Sequence, residues 1–343
     1  MNEQVRSKPL PGQYTTDYTA GQDNVQVLGM DIHNPVFTTS ALAIITFIIL
    51  ALMFPADAKT ILEGARVWST TTFDWLFMIS GNIFVIFCIS LILLPVGRIR
   101  LGGKTAKPDF SRISWFSMLF AAGMGIGLMF WSVAEPVAYY TDWWGTPLNA
   151  AAKTPEAASM AMGATMFHWG LHPWAIYGVV ALALGFFTYN KGLPLTIRSA
   201  FYPLLGERTW GPIGHVIDIV AVLATIFGLA TSLGLGASQA SSGLNFLFGV
   251  ENSITTQIAI IVVVTGIAIF SVVRGLDGGV KLLSNINMGI AGVLLLFVII
   301  AGSVTVFFGN VLGTLGSYAE NILPLSNWIG REDDKFYTGW TVF

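Results

Sequence analysis

The densest chemistry in the chain lies in FHWGLHPWAIY, residues 167–177. His168 and His172 stand four residues apart, the spacing at which two imidazoles on one helix face hold zinc in HExxH sites. Here Trp, Gly and Leu separate them, no acidic base stands between, and no third ligand is evident. The pair therefore reads as hydrogen-bonding groups inside a bundle. On a helix turning 100° per residue, Trp169, Trp174 and Tyr177 fall at about 0, 140 and 80°, which makes one face aromatic. Pro173 removes a backbone hydrogen bond in the middle and can bend the helix there. Ring faces hold a cation that has no N–H to donate, each contact contributing about 0.5–2 kcal/mol when desolvated. The same rings would also suit an aromatic belt at a membrane surface.

A second feature is GMGIG, in which Gly123, Gly125 and Gly127 interrupt an otherwise apolar stretch. Each glycine lowers helix propensity by about 1 kcal/mol relative to alanine. One reading is local unwinding around Met124, with freed carbonyls available to a cation. The other is a GxxxG patch, Gly123 and Gly127, for close helix packing. Glu135 and Pro136 close this stretch, and Glu135 reads as an interfacial residue rather than a proton carrier. Further on, after Asp218, ATIFGLATSLGLGASQASSG offers hydroxyls at Thr225, Thr231 and Ser232. They could bind sodium or bond the carbonyls of the preceding turn. Cys88 reads as a small packing residue. It, the four histidines and the intramembrane acids assemble no nucleophile, base or metal constellation, so an enzyme is not expected.

The elements that must carry these groups follow from composition. Of 343 residues, 54% are hydrophobic and 10% charged, against roughly 25% charged in a soluble domain. Uncharged runs of about 20 residues cross a bilayer as helices. Seven such runs occur, near 36–54, 73–94, 113–134, 159–187, 216–238, 255–273 and 286–308, with Asp74 and Asp218 at the starts of two of them, so the fold class is an all-α membrane protein. The polar residues 1–34 form a solvated tail without the apolar core of a signal peptide. Twelve of the 17 Lys and Arg residues fall in the tail or in the loops after the second, fourth and sixth runs, including Arg98, Arg100, Lys104, Lys107, Arg112, Arg198 and Arg274. Basic loops stay cytoplasmic, which places the N-terminus inside and the last stretch, with Trp328, Phe336, Tyr337 and Trp340, at the outer interface.

The long segments RLGGKTAKPDFSRISWFSMLFAAGMGIGLMFWSVAEP, FHWGLHPWAIY, ATIFGLATSLGLG, GLDGGVKLLSNINM and TGWTVF together resemble the betaine/carnitine/choline transporter family. That resemblance implies a leucine-transporter-like fold of two peripheral helices and two inverted five-helix repeats. The expected divisions are a cytoplasmic tail (1–34), two peripheral helices (35–94), a basic cytoplasmic loop (95–112), the first repeat (113–308) and an interfacial segment (309–343). On this reading seven membrane helices are present and the second repeat is missing, so the chain is expected to be a fragment.

The resemblance also implies that Trp169, Trp174 and Tyr177 form the first-repeat wall of an aromatic cage, with Gly123, Met124, Gly125 and Gly127 bordering the substrate. Ala121 and Met124 would offer carbonyls to one sodium ion, and Thr225 a hydroxyl to a second, although Leu229 stands where relatives often carry another hydroxyl. Choline-type relatives tend to have an aspartate at the place of Gly127, so glycine favours a zwitterion. The expected function is sodium-coupled uptake of glycine betaine or a similar compact osmolyte, with no cofactor beyond the coupling ion. Proton-coupled choline uptake, carnitine exchange, and a non-transporting fragment or assembly subunit are the alternatives. The expected setting is the bacterial inner membrane, as a homotrimer, with no nucleic-acid partner.

Overall fold

A computed structural model describes residues 12–123 and 125–343. A hairpin of β1, Asn24–Val27, and β2, Met30–His33, pairs antiparallel with Asn24 opposite His33 and Val27 opposite Met30. Then come α1 (Asn34–Met53), α2 (Pro55–Thr72) and α3 (Asp74–Leu93). The third apolar run is divided into α4, Arg112–Gly123, and α5, Ile126–Thr141. The fourth is divided into α6, Pro155–Trp169, and α7, Leu171–Gly185, with a wide π turn over Phe186–Asn190. A single turn, α8 (Tyr202–Leu205), precedes α9 (Pro212–Phe248), α10 (Ile254–Val273), α11 (Lys281–Ala301) and α12 (Val304–Leu325). The chain ends with the short α13, Asp334–Phe336, and a π turn over Tyr337–Thr341.

Several boundaries follow from local chemistry. Pro35 and Pro55 occupy the first turns of α1 and α2, where an N–H has no intrahelical acceptor in any case. Thr154, Ser253 and Ser303 cap α6, α10 and α12 by accepting from Ala157, Thr256 and Val306 backbone N–H groups. Among the described residues, six segments are long and apolar enough to cross a membrane: Asn34–Met53, Asp74–Leu93, Pro155–Asn190, Pro212–Phe248, Ile254–Val273 and Leu276–Ala301. The seventh expected run is the one broken at the glycines.

The described chain forms two compact units, Met1–Lys107 with Leu171–Phe227, and Pro108–Gly170 with Gly228–Phe343. In the first, α3 packs on α7 through small residues. Gly81 faces the His172 ring, Gly178 faces the Cys88 thiol, and that thiol points at the Ala175 carbonyl at 3.8 Å. Small residues let helix backbones approach where lipid supplies no hydrophobic driving force between helices. The second unit repeats the device between α6 and α12. A Cβ at Gly163 would strike Ser317, whose hydroxyl donates to the Ser159 carbonyl at 2.9 Å. Helices α10 and α11 leave Val263, Val273, Phe297 and Ile300 more than half exposed, which suits a surface solvated by lipid rather than water.

Within the stretch expected as a solvated tail, residues 14–18 dock within the first unit, while residues 19–22 and 25–31 are exposed. Tyr14 packs on Tyr202 at 5.1 Å between ring centroids, Tyr18 stacks on Trp210 at 4.5 Å, and the Trp210 Nε1–H donates to Thr16 at 2.8 Å. Few charges mark this stretch, but its tyrosines are half-buried against Tyr202 and Trp210, a signal that hydropathy averages miss. Helix α2 was also not anticipated, because Asp57, Lys59, Glu63 and Arg66 lower its apolar content below that of a span.

Candidate functional site

In the second unit, the carboxylate of Glu135 is the centre of a buried polar network. Glu135 and Tyr139 lie four residues apart on α5, the spacing that places two side chains on one face. The Tyr139 hydroxyl donates to Glu135 Oε2 at 2.8 Å, His168 Nδ1 lies 3.0 Å from the same oxygen, and the Trp169 Nε1–H donates to Oε1 at 2.8 Å. His168 Nε2 is 3.1 Å from the Thr341 hydroxyl. With a proton on Nδ1, His168 donates to Glu135 and accepts from Thr341; the imidazolium would donate at both nitrogens. Glu135 is 5% exposed and Tyr139 fully buried. Phe336 stacks on His168 at 5.9 Å, while Phe336 and Trp340 meet Tyr139 edge-on at 5.0 and 4.9 Å.

The C-terminal segment that closes this network is itself pinned. Arg331 makes a two-pronged ion pair with Asp333, Nε to Oδ1 at 2.7 Å and Nη2 to Oδ2 at 2.8 Å, and the Leu148 N–H donates to Asp333 at 2.7 Å. The Trp340 Nε1–H donates to the Trp144 carbonyl at 3.2 Å. Two fixed points therefore bring Phe336, Trp340 and Thr341 to α5 and α6.

The expected wall residues fall as follows. Trp169 ends α6, and its ring lies directly against Gly127, where any Cβ would collide with the indole. Trp174 and Tyr177, on α7 in the first unit, pair with each other at 5.6 Å between ring centroids and are more than a third exposed. The expectation of one continuous aromatic face is corrected. The helix is interrupted at Gly170 (φ −95°, ψ −131°), so positions 169 and 174 do not share one helical wheel. Pro173 is not the bend: it lies in the first turn of α7, where its missing N–H costs little.

Of the glycine motif, α4 ends at Gly123 and α5 resumes at Ile126, with Gly125 at φ −109°, ψ −120°. The helix is thus broken here, the outcome expected of unwinding, while Gly127 also serves close packing, against the indole that ends α6. Met124 lies outside the described residues. Ala121 belongs to the last turn of α4, where carbonyls have no intrahelical donor. Thr225 donates to the Ala221 carbonyl at 2.8 Å, the back-bonding alternative, and its oxygen keeps its lone pairs.

Glu135, read from the sequence as an interfacial residue, is buried among Tyr139, His168 and Trp169. The i, i+4 pair Glu135–Tyr139 was the available signal; Thr341 had none. His168 and His172 take different partners, Glu135 and Asn82, and the described residues contain no group of His, Cys, Asp and Glu that could hold a metal ion.

The sequence model for betaine/carnitine/choline family transporters matches residues 35–343. The chain belongs to this family. Members of the betaine/carnitine/choline family are transporters, not enzymes. Glycine betaine transporter 1 of Vibrio parahaemolyticus is 63% identical over 330 residues, covering 96% of this chain and 63% of the relative. A glycine betaine/proline/choline/ectoine transporter of the same strain is 59% identical, over 96% of this chain and 58% of its own length. The glycine betaine transporter OpuD of Bacillus subtilis is 41% identical, over 84% of this chain and 56% of its own. The chain thus spans less than two thirds of the length of these relatives.

Proposed function

We propose that the chain is the first-repeat portion of a secondary carrier for glycine betaine or a similarly compact zwitterionic or onium osmolyte, coupled to sodium. In this reading α1 and α3 are peripheral helices, the helices from α4 to α11 form the first of two inverted repeats, and the carrier is a homotrimer in the bacterial inner membrane with a cytoplasmic N-terminus. The observation that carries the substrate assignment is the contact of the Trp169 ring with Gly127. An indole face attracts a methylated ammonium, and a residue with no side chain beside it supplies no counter-charge, which suits a ligand that carries its own carboxylate. The names of the 63% and 41% identical relatives support the same substrate.

For sodium, two separate sites have donors of the right kind: Ala121 offers a helix-terminal carbonyl to one ion and Thr225 a hydroxyl oxygen to a second, both hard neutral donors. The ion would supply the gradient that drives uphill uptake. A second reading, choline as substrate, is favoured by the 59% identical relative, whose name includes choline, proline and ectoine.

The test is uptake of radiolabelled glycine betaine into bacteria lacking their own carriers, expressing the complete gene, with and without sodium and with unlabelled choline, proline or ectoine as competitors. Sodium-dependent uptake that only weak competition accompanies supports the proposal. Uptake indifferent to sodium removes the coupling assignment, and choline uptake without betaine uptake moves the substrate to the second reading.

A further inference from the structure

The Trp169 indole is bonded at its pyrrole edge and meets the Gly127 backbone at the rim of its six-membered ring. Its Nε1–H is 2.8 Å from Glu135 Oε1, and its six-membered ring lies where a Cβ at Gly127 would be. An indole has two side-chain torsions, and a bond from its single donor to a fixed acceptor selects one orientation. The acceptor here is fixed. Glu135 Oε2 receives the Tyr139 hydroxyl at 2.8 Å and faces His168 Nδ1 at 3.0 Å, so Oε1 cannot rotate away without disrupting both. His168 is braced in turn by Thr341 at 3.1 Å and by the stacked Phe336 ring. A bond from an N–H to a buried carboxylate is stronger and shorter than one between neutral groups.

We propose that Glu135 is the positioning residue of the substrate site: its carboxylate sets the angle of the Trp169 ring against the Gly127 backbone and thereby the affinity for the onium group. The inference rests on Trp169 being a wall of that site. Glu135 itself does not touch the substrate. Tyr139, His168 and Thr341 act one step further out, by holding the carboxylate still.

The experiment measures KM and maximal rate for glycine betaine in the complete protein, normalised to surface expression, for Trp169→Ala, Trp169→Phe, Glu135→Ala, Glu135→Gln, Glu135→Asp and the double variant Glu135→Ala/Trp169→Phe. Glu135→Ala is expected to raise KM about ten-fold with little change in maximal rate, the fold-change of one lost charge-assisted hydrogen bond. Glu135→Gln keeps an oxygen within reach of the indole and should retain most of the affinity. Glu135→Asp keeps the charge but withdraws the acceptor by one methylene, so it should resemble Glu135→Ala and takes its place in the cycle if the alanine variant does not reach the membrane.

Trp169→Phe has no donor, so adding Glu135→Ala to it should change KM no further. Fluorotryptophan labelling supplies an independent signature: the fluorine resonance absent in Trp169→Phe should shift or broaden in Glu135→Ala and stay near its place in Glu135→Gln. Additive losses in the double variant, or equal losses in Glu135→Gln and Glu135→Ala, would overturn the inference, the latter by showing that charge rather than the acceptor matters. If Trp169→Ala raises KM while Glu135→Ala does not, the positioning role alone falls. If Trp169→Ala leaves KM unchanged, the cage reading falls and the inference with it.

Discussion

A carboxylate of α9 is buried in the first unit and one of α5 in the second, and the two are held differently. In the first unit Asp218 meets a permanent cation: Arg198 Nε lies 3.1 Å from Oδ2, and the Arg198 backbone N–H donates to Oδ1 at 3.1 Å. Arg198 is 2% exposed, its guanidinium donates to the Tyr18 hydroxyl, and it lies over the Tyr18 and Trp210 rings at 5.2 and 5.3 Å. In the second unit, Glu135 meets a phenol, an indole and an imidazole. A guanidinium is always charged, so Asp218 faces a permanent cation. An imidazole and two neutral donors form a softer arrangement whose role is to orient the groups bonded to it. The contrast separates a staple from a positioning device.

The largest expected effect breaks the staple. Removing one partner of a buried ion pair leaves an uncompensated charge and costs about 3–5 kcal/mol. Asp218→Ala or Arg198→Ala should therefore abolish recovery of folded protein in mild detergent, whereas Arg198→Met with Asp218→Leu should recover a substantial part of it. Equal losses in the single and double variants would remove the distinction between the two centres.

Next in size is Gly127→Ala. The added methyl must displace the Trp169 ring, and overpacking of this kind costs about 1–3 kcal/mol. A rise of KM for betaine of about ten-fold, with the folded fraction preserved, is the expected result. An unchanged KM would mean that the ring position against Gly127 does not govern binding. Smaller again is Tyr139→Phe, which removes one of three donors to Glu135 at constant ring packing. Hydrogen bonds to charged groups contribute about 1.5–3 kcal/mol, but two partners remain, so a KM rise of about three-fold is expected, well below that of Glu135→Ala. Parity between the two variants would place the function in Tyr139 instead.

Much of this was legible in the residues, and the gaps have physical causes. The apolar runs located six membrane-crossing segments, and three glycines within five residues located the break between α4 and α5. Glu135 stayed hidden because an acid beside a proline at the end of an apolar run looks the same whether it faces headgroups or a buried indole; only the tertiary approach of α6 and of Thr341 decides. In the sequence Pro173 reads as a candidate bend while the break lies at Gly170, since periodicity does not register that a proline three residues past a glycine can begin a helix as readily as bend one. Arg198 was counted as a basic loop residue, and its pairing with Asp218 twenty positions later spans a turn that no local pattern encodes.

The smallest effect concerns the residues next to the staple, where the N-terminal segment docks. The Tyr202 hydroxyl donates to Glu207 at 2.6 Å and lies 3.1 Å from the Thr15 carbonyl. Burial first, and the bond to the Glu207 carboxylate second, hold its phenol above the ordinary tyrosine value. A phenol that binds its proton more tightly folded than unfolded contributes stability that is whole below the unfolded pKa, about 10, and is lost as pH rises through the folded one. Protection of the 12–33 segment from proteolysis should therefore be constant across neutral pH and weaken only in alkaline buffer. Tyr202→Phe should lower that protection slightly at neutral pH and flatten its alkaline decline, because no phenol remains to ionise. A decline of the same steepness in Tyr202→Phe would assign the alkaline sensitivity to another group, and the docking of Tyr14 on Tyr202 would then rest on ring contact alone.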